Sequence, residues 1–263
     1  MLRDRPRADI RIFGVAMLLT GIVVALAWLE RTVDQQGFSI ARDWTALGLV
    51  LVAYRTLDLF SPGHYQGTLE LSLQRADHFL LEGWHLRQAI ESCGAVLPAY
   101  LETAYFLTSG TGCYALTILY LYRKRDRCDC FLLIYVLGTL LSYALVPFLR
   151  LEPPRIAFPG SDMPQISTAM RKLNLVVLSG AGIHSGVFPS AHVSSTFSAA
   201  WGMFIALPER KMYGWIFLIY ATSVALATVY GRYHYAADTV AGFAVSVIAV
   251  FLSRLIFRGS KGR

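Results

Sequence analysis

Six stretches of this chain are apolar enough to be read as bilayer crossings: about Ile12–Leu29, Ala104–Tyr122, Phe131–Leu149, Val193–Leu207, Met212–Val229 and Thr239–Phe257. At 1.5 Å of rise per residue a crossing takes about 20 residues. Val193–Leu207 is short, but a helix starting near Pro189 has the length. A seventh run, Trp44–Tyr54, stays uncharged for only eleven residues before Arg55 and Asp58. That length suits an interfacial or re-entrant segment. Only 16% of residues are charged and 55% are hydrophobic, against about 25% charged in soluble domains. An ordinary soluble enzyme and a disordered chain are both excluded as classes.

The net charge of +7 sits largely between the apolar runs, so it reads as a topology signal rather than a nucleic-acid surface. Arg3, Arg5, Arg7 and Arg11 precede the first run, and Arg123, Lys124, Arg125 and Arg127 follow the second. Arg210 and Lys211 follow the fourth, and Arg254, Arg258, Lys261 and Arg263 close the chain. Six crossings put all these clusters on one side, which the positive-inside rule makes cytoplasmic. The expected protein is an all-α integral membrane protein, a six-helix bundle with both chain ends in the cytoplasm. Ala25-Leu26-Ala27 resembles a signal-peptide cleavage site. The run before it is longer than the usual 7–15 or so apolar residues, so it reads as a retained anchor. Cys93, Cys113, Cys128 and Cys130 form no CxxC pair and support neither a disulfide framework nor a zinc knuckle.

Residues 1–263 read as one membrane domain. Within it, residues 30–95 form an outer-side segment, and residues 96–257 form a core carrying the chemistry. In residues 65–92, Leu69, Leu73, Ala76, Leu80 and Trp84 recur at steps of three and four among charged residues. That pattern predicts an amphipathic helix lying on the membrane or capping the bundle. Residues 150–190, rich in proline and glycine, read as a long outer loop. Its Arg150, Arg171 and Lys172 read as solvated charges, and His184 as a loop residue. Glu102 is expected at the interface, and Tyr230, Tyr233 and Tyr235 in an aromatic belt.

Three segments share the outer side in this topology. They are Glu152-Pro153-Pro154-Arg155, then Phe188-Pro189-Ser190-Ala191-His192, and lastly the stretch from Tyr230 to Asp238. Arginines and histidines at helix mouths make an anion site, helped by free N–H groups at helix N-termini. His234 and Asp238 are four apart, which on a helix puts them on one face. A carboxylate on one imidazole nitrogen makes the other a better nucleophile. The bland readings are an interfacial Arg155, a hydrogen-bonded core His192, a helix-capping Ser190 and an anchoring Arg232.

These segments resemble the three signature segments of the type 2 phosphatidic acid phosphatase superfamily, KxxxxxxRP, PSGH and SRxxxxxHxxxD, over roughly residues 95–257. Arg155 matches the first arginine, Pro189-Ser190-Ala191-His192 the second segment, and His234 and Asp238 the end of the third. Phe148 stands where the first lysine is usual, Ile156 in place of the proline, Ala191 in place of the glycine, and Thr228 in place of the third-segment arginine. These variants look closer to the branch that includes inositolphosphorylceramide synthase, whose members transfer or hydrolyse phosphoryl headgroups.

The resemblance implies a membrane enzyme acting on a lipid phosphate without metal or cofactor. In it His234 is the nucleophile, Asp238 its orienting partner and His192 the general acid and base. Arg155 and Ser190 bind phosphoryl oxygens. Arg232 is our own addition as a substitute for the missing basic residue. Two other classes remain open at this point. One is a metal enzyme with His192, His234 and Asp238 as a two-His-one-carboxylate set. The other is a non-catalytic lipid transporter, against which the absence of any inverted repeat counts.

Overall fold

A computed structural model describes residues 10–33, 36–57, 67–182 and 186–261. Arg3, Arg5, Arg7, Asp58, His184 and Arg263 lie outside them. Among the described residues the chain is helical without strands. Three segments, Arg125–Phe148, Pro208–Tyr230 and Ala236–Phe257, are long and apolar enough to cross a membrane. That fits the all-α membrane class expected; six crossings are not shown among the described residues.

The core is built around a helix that the sequence makes both short and small-sided. We number the helices in chain order: α1 (Ile10–Val33), α2 (Gln36–Thr56), α3 (Gly67–His78), α4 (Leu86–Glu91), α5 (Val96–Phe106), α6 (Thr111–Leu121), α7 (Cys128–Leu145), α8 (Pro154–Ala157), α9 (Ala169–Ala181), α10 (Ala191–Ala206), α11 (Lys211–Tyr230) and α12 (Ala236–Lys261). The 16 residues of α10 are packed by α7, α11 and α12. Its serines and alanines let neighbours approach closely. Ser194 Oγ donates to the Gly138 carbonyl of α7 at 2.8 Å, and a β-carbon on Gly138 would overlap Ser198 Oγ. Gly138→Val is therefore expected to lower stability by roughly 1–3 kcal/mol through overpacking. Thermal unfolding in detergent reads this directly.

Two expected segments come out differently. Ala104–Tyr122 is not one helix, because a 3₁₀ turn at Leu107–Gly110 separates α5 from α6. Thr108 and Thr111 hydroxyls bond back to the Tyr105 and Thr108 carbonyls at 2.8 Å beside Gly110 and Gly112, which loosens the helical ladder there. The Trp44–Tyr54 run, expected as an interfacial or re-entrant segment, belongs to a helix longer than its apolar stretch. It lies inside the continuous 21-residue α2, packed on α1 and α7.

The start of α2 is held beside the ends of two other helices. Arg42 pairs with Glu30 near the end of α1 at 2.6 Å and with Asp129 at the start of α7. Asp43 accepts the Tyr120 hydroxyl at 2.8 Å. The end of α1 and the start of α2 therefore lie beside the basic 123–127 segment. The Ile10 end of α1 points to the opposite end of the bundle. Charges at 42 and 43 shortened the apparent apolar run, but pairing lets the helix carry them.

Residues 67–83 and 86–91 are helical, with a π-helical turn at Phe79–Gly83 and a break at Trp84 and His85, where His85 has φ of 56°. The side turned inward is the polar one. Glu70, Gln74 and Asp77 are buried along with Leu81, while Leu71, Phe79 and Trp84 are exposed. The 150–190 loop holds α9, which likewise buries Arg171 and Asn174 and exposes Leu173, Val176 and Val177. Against lipid, apolar outside and polar inside is the stable orientation for both helices.

Candidate active site

Four helix ends converge at the end of the bundle opposite the basic segments. Pro153 and Pro154 stop the chain after α7 and start the single turn of α8. The Arg155 N–H donates to the Arg232 carbonyl at 3.1 Å. Ser190 caps α10, its Oγ accepting the Val193 N–H at 3.4 Å, while its own N–H donates to the Asp238 carbonyl at 3.0 Å. The Tyr233 and His234 N–H groups both donate to the Thr228 carbonyl, at 2.9 and 3.1 Å. Asp238 reaches back from the first turn of α12 to accept the Tyr235 N–H at 3.0 Å, the second half of a capping box. Backbone bonds thus tie all three sequence segments together.

His192 Nδ1 and His234 Nε2 lie 3.4 Å apart, their rings edge to face. His234 Nδ1 is 3.4 Å from Asp238 Oδ2, within ion-pair distance but without hydrogen-bond alignment. His234 precedes α12 rather than sitting on it, so a loop and not a helix face sets this pair. Arg155, His192 and His234 line one pocket with Tyr105 and Tyr233. Tyr105 stacks on Tyr233 at 4.0 Å and on His192 at 4.9 Å, and the Arg155 guanidinium lies 5.5 Å from the Tyr233 ring centre.

Among the described residues no carboxylate pairs with Arg155. Burial lowers its pKa from the usual guanidinium value. Half-sunken beside the N-terminal turn of α10, it gives the pocket a positive charge and a planar set of N–H donors. Burial, and then the Arg155 charge, push the His234 imidazole down to about 3. The ring is neutral at physiological pH, the form a nucleophile needs. A free imidazole titrates near 6.5, so between about 6.5 and 3 the unfolded chain binds a proton that the folded one does not. Stability contributed by the neutral ring falls as pH falls through that window. Melting temperature measured from pH 7 to pH 4 should drop, with a shallower slope in His234→Ala.

Ser190 and Arg232 do not reach this pocket. Both are fully buried. Ser190 is engaged as a helix cap, and the Arg232 guanidinium turns to Asp77 and Gln74 on α3. Among the described residues no three His, Cys, Asp or Glu side chains are grouped as a metal site; His192 and Asp238 lie on opposite nitrogens of the His234 ring. Phe148, at the missing lysine's position, is 81% exposed, so nothing basic is supplied there.

Sequence reasoning misplaced several residues at this end. Glu102, expected at the interface, is 2% exposed. It accepts from Arg171 Nη1 at 2.8 Å, Asn174 Nδ2 at 2.7 Å and Tyr233 Oη at 2.6 Å. Arg171 is not a solvated charge, and Tyr230, Tyr233 and Tyr235 are buried rather than belted at the surface. A carboxylate within an apolar stretch was the available signal, since such a group demands partners.

The pocket opens into an apolar channel of about 410 Å³. Tyr54, Tyr105, Tyr143, Leu178 and His192 line both spaces. The helical bundle, with three helices apolar enough to cross a membrane, thus carries a half-buried arginine, two facing imidazoles and an apolar channel at one end. Residues 71–252 match the PAP2 superfamily, and the chain belongs to it. A PA-phosphatase related-family protein of Dictyostelium discoideum is 35% identical over 65 residues, covering 25% of this chain and 11% of that protein. The chain thus spans only a small part of that relative's length. No solved structure matches it significantly.

Proposed function

We propose that this protein transfers phosphoryl groups from a lipid phosphate through a phosphohistidine at His234. The observation that carries the reading is the unpaired, half-buried Arg155 sharing one pocket with two histidines at the mouth of an apolar channel. The phosphate ester binds against Arg155 and the first turn of α10 with its hydrocarbon chain in the channel. His234 attacks phosphorus, forming the N–P bond as the P–O bond to the lipid alcohol breaks. His192 gives the leaving oxygen its proton. Asp238 stabilises the imidazolium, and Arg155 holds the phosphoryl oxygens as charge spreads over them. A water or alcohol then gives its proton to His192 and attacks the phosphohistidine, regenerating the imidazole. Ser190 supports His192 through the α10 cap. Arg232 acts behind the loop rather than on phosphate.

The variants at Phe148, Ile156, Ala191 and Thr228 favour a second reading. In it the incoming group is an alcohol and the enzyme is a headgroup transferase, similar to inositolphosphorylceramide synthase. The membrane-type helices and the basic 123–127 and 210–211 segments support a cell-membrane location, with those segments cytoplasmic and the pocket outside. Purified protein assayed on a panel of lipid phosphates, with and without alcohol acceptors, separates the two. Free phosphate release supports the hydrolase, and headgroup transfer the transferase. Either activity should be blocked by vanadate and survive chelation; loss on chelation with recovery by metal would overturn the phosphohistidine route.

A further inference from the structure

The loop that carries His234 is gripped from the side by α3, through a carboxylate the mechanism above does not use. Asp77 is 1% exposed. Its Oδ2 accepts from Arg232 Nη1 at 2.6 Å, and its Oδ1 accepts the Ala236 N–H at 3.0 Å. These partners stand two residues before and two residues after His234. Gln74, one turn earlier, holds the other end of the same guanidinium through Oε1. Its amide nitrogen is itself fixed by Ser161 Oγ at 2.9 Å and Asp162 Oδ2 at 2.7 Å.

Two further observations tie this grip to the pocket. Arg232 has φ of 61°, a left-handed conformation that a side chain adopts at a cost and that surrounding contacts must maintain. The Arg232 carbonyl also receives the Arg155 N–H at 3.1 Å. One carboxylate therefore spans the nucleophile's loop and, through Arg232, reaches the segment bearing the anion-binding guanidinium. A buried ion pair contributes little net stability over an apolar replacement of equal volume, so stability does not account for keeping charge here.

We propose that Asp77 is a positioning residue for phosphoryl transfer: it clamps the Arg232–Ala236 loop so that His234 and Arg155 address the same phosphoryl group. The proposal rests on the phosphoryl-transfer reading. A displacement of about 1 Å at the reacting centre can lower the rate about 100-fold, while contacts to the hydrocarbon chain are untouched. Loss of the clamp should therefore appear in kcat and spare KM.

Two variants test it in the full-length purified protein, Asp77→Asn and the double variant Asp77→Leu with Arg232→Met. The double variant removes both charges together and fills their volume, so no lone buried charge remains to unfold the chain. Thermal unfolding, hydrogen exchange across 231–236, and kcat and KM on a lipid phosphate turned over by the wild type are measured. The double variant should melt close to wild type and exchange at least about tenfold faster in that segment. Its kcat should fall by about 10–100-fold, with KM changed by less than about threefold. A folded double variant with wild-type kcat, or with wild-type exchange in 231–236, would overturn the proposal. So would failure of both variants to fold, which would make Asp77 structural. If the wild type turns over no lipid phosphate, the functional reading fails separately, and the exchange measurement still decides whether the clamp exists.

Discussion

A His234→Ala variant is expected to lose turnover by at least about 10⁴-fold, the scale on which removal of a nucleophile acts, while still folding. The imidazole is 5% exposed and supplies the attacking nitrogen. The loop's shape rests elsewhere, on the Thr228 carbonyl, the Asp77–Ala236 bond and the Asp238 cap. Truncation therefore removes the chemistry and leaves the support. Asp238→Asn should lower kcat less, because the amide can still cap Tyr235 but cannot stabilise an imidazolium. Phosphate release or headgroup transfer, compared with thermal unfolding in detergent, checks both. Wild-type turnover in a His234→Ala protein would falsify the mechanism.

The largest expected effect on stability comes from Glu102. Glu102→Ala leaves the Arg171 guanidinium buried without its carboxylate and strips Asn174 and Tyr233 of an acceptor. Breaking a buried pair from one side costs about 3–5 kcal/mol. Converting the pair to Glu102→Leu with Arg171→Met should recover much of that loss, giving a large coupling between the two positions. Activity should fall along with stability, since Tyr233 is stacked between this cluster and the pocket. Unfolding measured for the two single variants and the double variant reads the coupling. A Glu102→Ala protein as stable as wild type would mean that this cluster is not formed.

The helical membrane class was legible because apolar runs and the charges between them follow from bilayer thickness alone. The histidine pair and Arg155 were legible because their residue types and spacing match a known pattern of segments. What stayed hidden depends on pairing across the fold. The run before Arg55 looked too short to pass through the bundle. Nothing in the sequence showed that Arg42 pairs with Glu30 and Asp129 on other helices, or that Asp43 pairs with Arg42 and accepts the Tyr120 hydroxyl. The amphipathic pattern of residues 69–84 located a helix but not which face turns inward. In water the leucines would be buried. Beside lipid, Glu70, Gln74 and Asp77 turn inward because an unpaired charge in hydrocarbon costs more than an exposed leucine. Arg232 looked like a phosphate ligand from its place two residues before His234, and only the buried Asp77 shows it committed elsewhere.

Trapping the phosphoenzyme is the most direct test of the pocket's chemistry. Purified wild-type protein mixed briefly with a lipid phosphate labelled on phosphorus, then quenched in base, should carry an alkali-stable, acid-labile label that maps to the peptide containing His234. The His234→Ala protein should carry none. Label on another residue, or turnover of the lipid with no covalent intermediate trapped at any mixing time, would contradict nucleophilic attack by His234.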